Sequence, residues 1–289
     1  MLPPPPLLLL GCGYTLSRVA QLALAEGRSV IATAREPARL RSLADAGATV
    51  LRLDVDEPAT LAAAAEAVPS GVQAVHSVPV LRTERGLVDP TPRLLRALAG
   101  KIARLAYISS TGVYGKQADV DETTPTAPAT PLQQLRVDAE DAVRSTVSSS
   151  VVLRPAAIYG PGRGVHVMLR AGRYRLAGDG SNVVSRIHVA DLADIVYAAV
   201  NADVETAWPV ADDDPATAAE VARFVTDLLG LPAPSRVSMD DVHETMRFTR
   251  RVDGRALRDR LGVKLRYPSF REGIPAAIAQ ERDSAGETP

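Results

Sequence analysis

The sequence predicts an α/β fold, a doubly wound parallel sheet with helices on both faces and a smaller C-terminal subdomain. Three observations lead there. Short apolar runs such as Leu7–Leu10, Val72–Val78 and Ser150–Arg154 recur without polar alternation, as strands buried on both faces require. Longer stretches with apolar residues on one helical face separate them, in the rhythm of βαβ units. The 289 residues are 46% hydrophobic and 23% charged, enough to fill one large core and still cover it with polar groups.

Taken in order, Leu7–Leu10 is the first strand. Ser17–Glu26 is a helix with Val19, Leu22 and Ala23 on one face, stopped by Gly27. Ser29–Ala34 is a second strand, and Pro37 opens a helix that ends at Gly47. Thr49–Val55 follows as a strand, then an alanine-rich helix opened by Pro58. Val72–Val78 is the fourth strand, Pro92–Leu98 a helix stopped by Gly100, and Arg104–Ser109 the fifth strand. Thr130–Val147 is a long helix and Ser150–Arg154 the sixth strand.

After Pro155 the character changes. The run Ile158–Gly164 is loop, His188–Asn201 helix and Ala207–Val210 a last edge strand, with further helices at Ala216–Leu229, Asp253–Leu261 and Ile274–Gln280. The expected division is a sheet domain of residues 1–159 with 187–210 returning to it, a smaller subdomain of 160–186 and 211–280, and a disordered tail at 281–289.

Composition excludes several functions. A net charge of −1 gives no basic field for nucleic acid or an anionic membrane, and no apolar stretch reaches the roughly 18 residues of a membrane span. The opening MLPPPPLLLL has neither a basic leader nor a small-residue cleavage site, so it reads as the approach to the first strand and the expected location is cytoplasmic. The single cysteine, Cys12, excludes an internal disulfide. His76, His166, His188 and His243 lack metal-ligand spacing, so no metal is expected.

Directly after the first strand stands Gly11-Cys12-Gly13-Tyr14-Thr15-Leu16, and a helix follows. Glycines there permit a tight turn and let backbone amides approach a pyrophosphate at a helix N-terminus, the Rossmann arrangement for a dinucleotide. Leu16 replaces the third glycine of that pattern, so it either pushes the helix outward or intrudes on the phosphate seat. At the end of the second strand, where an acid would bind a ribose 2′-hydroxyl, Thr33-Ala34-Arg35 is followed by Arg39. Two guanidinium groups suit a 2′-phosphate, which favours NADP over NAD. Asp54 either accepts from the adenine amine or caps the next helix.

These segments, with LDVDEP, ISSTGVYG, LRPAAIYGPGRG, SRIHVADLA and LRDRLGVKLRYPSFREGI in this order, make the chain resemble the short-chain dehydrogenase/reductase superfamily in its extended and atypical epimerase/dehydratase branch. The resemblance implies a hydroxyl after the fifth strand, here Ser110 flanked by Ser109 and Thr111, and a Tyr-x-x-x-Lys pair on the next helix. Leu132 stands at the tyrosine position and Arg136 at the lysine position. Leucine transfers no proton, and arginine does not titrate, although it can bind a ribose or phosphate. The resemblance also places Pro155 beside the cofactor.

Tyr114, Tyr159 and His76 are the substitute acids to weigh, each with a packing role as its rival, while Asp191 reads as a brace beside His188. Arg154, Arg163 and Arg186 either line a cleft for an anionic substrate or are solvated. The expected function is an NAD(P)-binding epimerase, dehydratase or reductase acting on a small polar substrate such as a nucleotide sugar; a non-catalytic dinucleotide sensor or scaffold is the alternative. The resemblance further implies a homodimer through Pro92–Leu98 and Thr130–Val147, with Leu94, Leu95, Leu98, Leu135 and Val143 shared or facing the sheet.

Overall fold

A computed structural model describes residues 3–84, 86–242 and 248–286. Its centre is a sheet of seven strands: β1 (Leu7–Leu10), β2 (Val30–Ala34), β3 (Thr49–Arg52), β4 (Val72–His76), β5 (Ile102–Ile108), β6 (Ser150–Pro155) and β7 (Thr206–Val210). Their spatial order is β7-β6-β5-β4-β1-β2-β3. β1 pairs in parallel with both β2 and β4, setting Leu10 opposite His76, and β4 sets His76 opposite Tyr107 of β5. The order therefore reverses at β1, and in such sheets the crevice beyond the carboxyl ends of the strands at the reversal receives the ligand.

β1 carries four leucines because both its faces are covered, and none of the four is exposed. On one face, Leu8, Leu10, Leu105 and Tyr107 pack with helix residues from α3 (Pro58–Ala67), α4 (Thr91–Ala97) and α5 (Pro131–Thr146). Leu94, Leu95, Leu98 and Val143 belong to this core, and Leu135 is half-buried. Of the apolar residues read as shared or facing the sheet, Leu94, Leu95, Leu98 and Val143 face the core. Helix α1 (Leu16–Ala25) buries Leu16, Val19, Ala20 and Ala23. Buried Arg28 ties the opposite end of the sheet together, donating to Pro5 O at 2.8 Å, Asn201 Oδ1 at 3.0 Å and Gln73 Oε1 at 2.6 Å.

The chain forms two compact units. The first takes the described residues up to Gly115, with Thr126–Arg154 and Ala193–Trp208; the second takes Lys116–Pro125, Pro155–Leu192 and the described residues from Pro209 onward. The expected boundaries differ at residues 116–125, 155–159, 187–192 and 209–210, which fall in the second unit. The second unit has its own core of Tyr159, Tyr174, Val221, Val225, Phe270 and Ile274.

Some elements depart from expectation. The third strand stops at Arg52, and a turn leads from it to α3. The last helix runs Phe270–Gly286, so residues 281–286 are helical where a disordered tail was expected. Residues 287–289 and His243 lie outside the described residues.

Candidate dinucleotide site and the proton-donor positions

β1 delivers the chain to Gly11 at the sheet reversal. Gly11 has φ +77°, and a Cβ there would stand 2.9 Å from Val78 Cγ2 and 3.2 Å from the Val78 backbone, so only glycine fits. Thr33 of β2 locks the turn. Its hydroxyl accepts the Gly11 N–H at 3.2 Å and donates to Leu9 O at 3.1 Å, while its carbonyl accepts the Cys12 N–H at 2.8 Å. Beside Gly13 the space is open: a Cβ there would have Gly11 O, at 3.9 Å, as its nearest neighbour.

Thr15 begins α1 without a side-chain cap; the Ser17 N–H bonds Gly13 O at 2.9 Å and the Arg18 and Val19 N–H groups bond Thr15 O at 3.1 and 3.3 Å, which leaves the first amide of the helix, at Leu16, as the one turned to solvent or an anion. The neighbouring carbonyl of Tyr14 accepts from Arg18 Nη1 at 2.7 Å. Leu16 is 1% exposed and is buried with Val19, Ala20 and Ala23 on the inner side of α1. Cys12 is buried too, and burial raises its thiol to a pKa of about 11, which keeps it protonated.

Beyond β2, Arg35 is exposed and makes no hydrogen bond or ion pair among the described residues. Arg39, also exposed, pairs with Glu36 at 2.8 Å. A 2′-phosphate would therefore meet Arg35 unopposed and share Arg39 with Glu36. Asp54 closes a turn, its Oδ1 accepting the Asp56 N–H at 3.1 Å while the Thr60 hydroxyl brackets its backbone. Asp54 does not cap the next helix, whose N-cap is Glu57 and carries no side-chain cap bond; its carboxylate closes the turn ahead of it.

At the ends of β4 and β5 the proposed acids are withdrawn. His76 is fully buried; its Nδ1 accepts the Val78 N–H at 3.3 Å, so Nε2–H donates to Thr91 Oγ1 at 2.8 Å. Burial, and then the Arg136 charge, lower its pKa to about 3. It is neutral at ordinary pH, a packing residue where a proton donor was expected. Tyr114 is likewise inaccessible: its hydroxyl accepts from Arg154 Nη1 at 3.1 Å, and the guanidinium lies 5.0 Å from its ring centroid. Arg154 in turn holds Glu140 through Nε at 3.0 Å and Nη2 at 2.6 Å, and Ser109 donates to the same carboxylate at 2.6 Å. Neither Tyr114 nor Arg154 is free to face a substrate. Glu140, which the sequence offered only as a landmark on α5, is the hub of this buried network.

Ser110 is half-buried, and its Oγ accepts the Gly112 N–H at 3.0 Å at the start of a short turn, while Thr111 is buried. Of the four candidate catalytic residues, only Ser110 keeps a partly exposed side chain. On α5, Leu132 is 39% exposed. Four residues on, Arg136 donates from Nη1 to the Tyr107 hydroxyl at 2.8 Å and lies 3.7 Å from Asp89 Oδ2.

In the second unit, to which Pro155 belongs, Tyr159 is buried and donates to Ser269 O at 3.4 Å. Burial, with Asp212 and Asp191 nearby, pushes its phenol well above the usual range. Asp191 braces the chain as expected, accepting from the Arg266 and Tyr267 amides at 2.6 and 3.0 Å. Arg186 is buried and donates to Val184 O at 2.6 Å, whereas Arg163 is exposed.

The sheet order, the Gly11 turn and the uncapped start of α1 define a dinucleotide-binding protein of the Rossmann class. More specifically, the chain belongs to the NAD(P)H-binding family, whose model matches residues 12–203. It is 27% identical over 286 residues to the 3-diazoavenalumate denitrifying reductase of a Streptomyces species, covering 86% of this chain and 92% of that one. Among solved structures it resembles a conserved protein of unknown function from Silicibacter pomeroyi, with 31% identity, TM-score 0.79 and coverage of 96% and 99%. It also resembles MoeE5 solved with UDP-glucuronic acid and NAD, with 24% identity, TM-score 0.79 and coverage of 97% and 99%. The fold is that of the NAD-dependent epimerases and dehydratases. Among the described residues no helix is long and apolar enough to cross a membrane, and no group of His, Cys, Asp or Glu could hold a metal ion.

Proposed function

We propose that the protein is an NADP(H)-dependent reductase of a small polar substrate whose reduction does not depend on a tyrosine acid. The observation that carries this reading is an intact dinucleotide turn at Gly11 combined with Leu132 at the acid position. Bound reduced nicotinamide supplies the hydride. The Gly11–Gly13 turn and the first amide of α1, at Leu16, would seat the pyrophosphate, and Arg35 would meet the 2′-phosphate. Arg136 supplies a fixed positive charge where the family carries lysine, suited to a ribose hydroxyl. Ser110 would donate a hydrogen bond to the reacting polar atom. The Streptomyces relative, a reductase by name and matched over most of both chains, supports reduction over epimerisation. The UDP-glucuronic acid in complex with MoeE5 keeps a nucleotide sugar as the next class to test.

The experiment is native mass spectrometry of freshly purified protein, followed by incubation with NADPH deuterated at C4. A co-purifying dinucleotide and transfer of deuterium to a substrate support the reading; dinucleotide binding without transfer to any reducible compound would favour a sensor or scaffold. That second reading draws on the burial of both His76 and Tyr114. Assembly as a homodimer through α4 and α5 would have to use their exposed polar residues, such as Arg93, Arg96, Asp138 and Asp141, and sedimentation at micromolar concentration tests it.

A further inference from the structure

The second unit carries a cleft of about 860 Å³ built wholly from its own residues, drawn from 119–121, 212–215, 251–259 and 263–268. That volume suits a small organic molecule. Its walls are held by backbone bonds. Asp119–Val120 pairs in parallel with Arg251–Val252, the Asp253 N–H reaches Val120 O at 2.8 Å, and the Asp213 N–H reaches Pro268 O at 2.9 Å. Gly254 lies so close to the next segment that a Cβ would stand 2.7 Å from Ala211 N.

Six carboxyl groups and four cationic side chains line the cleft. Arg258 is paired with Asp213 and Arg255 with Asp253 at 2.5 Å, while Arg251 lies 3.7 Å from Asp119. Asp121, Asp259 and Lys264 have no ion-pair partner among the described residues, so the surplus charge is negative. Asp212, in the wall, is 3% exposed; its Oδ1 has only a long bond from the Asp214 N–H at 3.4 Å, and its Oδ2 has no hydrogen-bond partner among the described residues. A buried carboxyl left this poorly satisfied is costly, and native proteins retain such groups chiefly where something else completes them.

We propose that this cleft binds a small organic cation, a primary ammonium on an apolar body, with Asp212 as its acceptor and Val120, Val252, Val263 and Leu265 against the body. The absence of any metal-holding group of acids among the described residues argues for an organic cation over a metal ion. Burial raises the Asp212 carboxyl to a pKa of about 8; the Asp214 N–H and the Arg186 charge oppose the rise, and the charges of Asp214 and Asp213 add to it, while Tyr159 is the other titratable group that senses its charge. Below that pH an arriving ammonium would draw the proton off, so binding releases a proton.

The proposal does not rest on the reductase reading, and its test needs no dinucleotide. Phenethylamine and its neutral counterpart phenethyl alcohol are titrated calorimetrically into the full-length protein at pH 7 in phosphate and in Tris. The amine should bind at least tenfold more tightly, with an enthalpy that differs between buffers as proton release requires. Asp212→Asn should weaken it tenfold or more. Should that variant not fold, Asp259→Lys, at an exposed position, should weaken the amine about threefold with thermal unfolding unchanged. Equal binding of amine and alcohol, no binding at millimolar concentration, a buffer-independent enthalpy, or unaltered affinity in a folded variant would each overturn the proposal.

Discussion

Arg136 donates a 2.8 Å hydrogen bond to the hydroxyl of Tyr107, and through that bond the guanidinium at the family's lysine position is anchored to the middle of the sheet. Tyr107 is fully buried, and burial raises its phenol above the usual range even though Arg136 pulls the other way. The pair is a positioning device: the tyrosine holds the arginine in place without itself reaching a substrate. Replacing Tyr107 by Phe should free Arg136 and weaken dinucleotide binding about threefold to tenfold, with a smaller loss of thermal stability. Calorimetric titration of NADPH checks it, and an unchanged affinity would detach Arg136 from the cofactor.

Cofactor preference follows from Arg35. With no partner of its own among the described residues, it is available to a 2′-phosphate, whereas Arg39 must first leave Glu36. That exposed ion pair is worth about 0–1 kcal/mol and is easily exchanged. NADPH should bind about tenfold more tightly than NADH, and Arg35→Ala should remove most of the difference while leaving NADH affinity unchanged. Equal affinities in the wild-type protein would sink the assignment.

The buried Glu140–Arg154 pair makes a stability prediction. Glu140 is not exposed at all, and its carboxylate is satisfied by Arg154 and Ser109. Glu140→Ala would strand the buried guanidinium and should cost about 3–5 kcal/mol, seen as a lower denaturant midpoint. Removing both partners, as Glu140→Leu with Arg154→Met, should cost less than either change alone. A fully additive cycle would show that the two do not act as a pair.

How much of this was legible in the sequence follows from the same residues. The sheet could be read because strands covered on both faces have no choice but to be apolar, as the four leucines of β1 show. The glycine turn could be read because Gly11 meets Val78 at a distance no side chain tolerates. The proton-donor map was harder. Tyr114, Arg154 and Glu140 are separated in the chain, and nothing in a one-dimensional pattern shows that an arginine within the buried strand β6 will pair with a glutamate on the preceding helix. The faint signal was Glu140 itself, set between Ala139 and Val143 on the buried stripe of α5. The second unit resisted for a different reason: its strands are two or three residues long, too short to carry a period.

His76 predicts acid sensitivity. Its folded pKa of about 3 lies below the unfolded value near 6.5, so between those limits the unfolded chain binds more protons than the folded one. The stability attached to the neutral ring is therefore complete above about pH 6.5 and declines as the pH falls toward 3, by on the order of 1.4 kcal/mol per pH unit at its steepest. His76→Gln should flatten this part of the stability profile, measured by urea unfolding from pH 7 to pH 4. The His76 imidazole resonance, identified by its loss in His76→Gln, titrating near pH 6.5 in the folded protein would refute the assignment.

The sharpest test concerns Leu132. General acid–base catalysis contributes about 10²–10⁴-fold, so a family member without its acid should reduce oxygen-centred substrates slowly while keeping its cofactor. Leu132 is 39% exposed on α5, so a tyrosine there need not enter a packed core. Arg136 can become lysine at the loss of its bond to Tyr107. The double variant Leu132→Tyr with Arg136→Lys should therefore fold and bind NADPH within about threefold of the wild type. It should also raise carbonyl reduction by at least tenfold, with a new pH dependence from the phenol. Ser110→Ala should lower the rate in both backgrounds, because the hydroxyl acts on the same reacting atom. If the double variant binds cofactor normally and gains nothing, the missing acid is not what limits turnover. If the wild type already reduces such carbonyls at ordinary rates and Ser110→Ala leaves that rate intact, the chemistry belongs to groups other than those at the ends of β4 and β5.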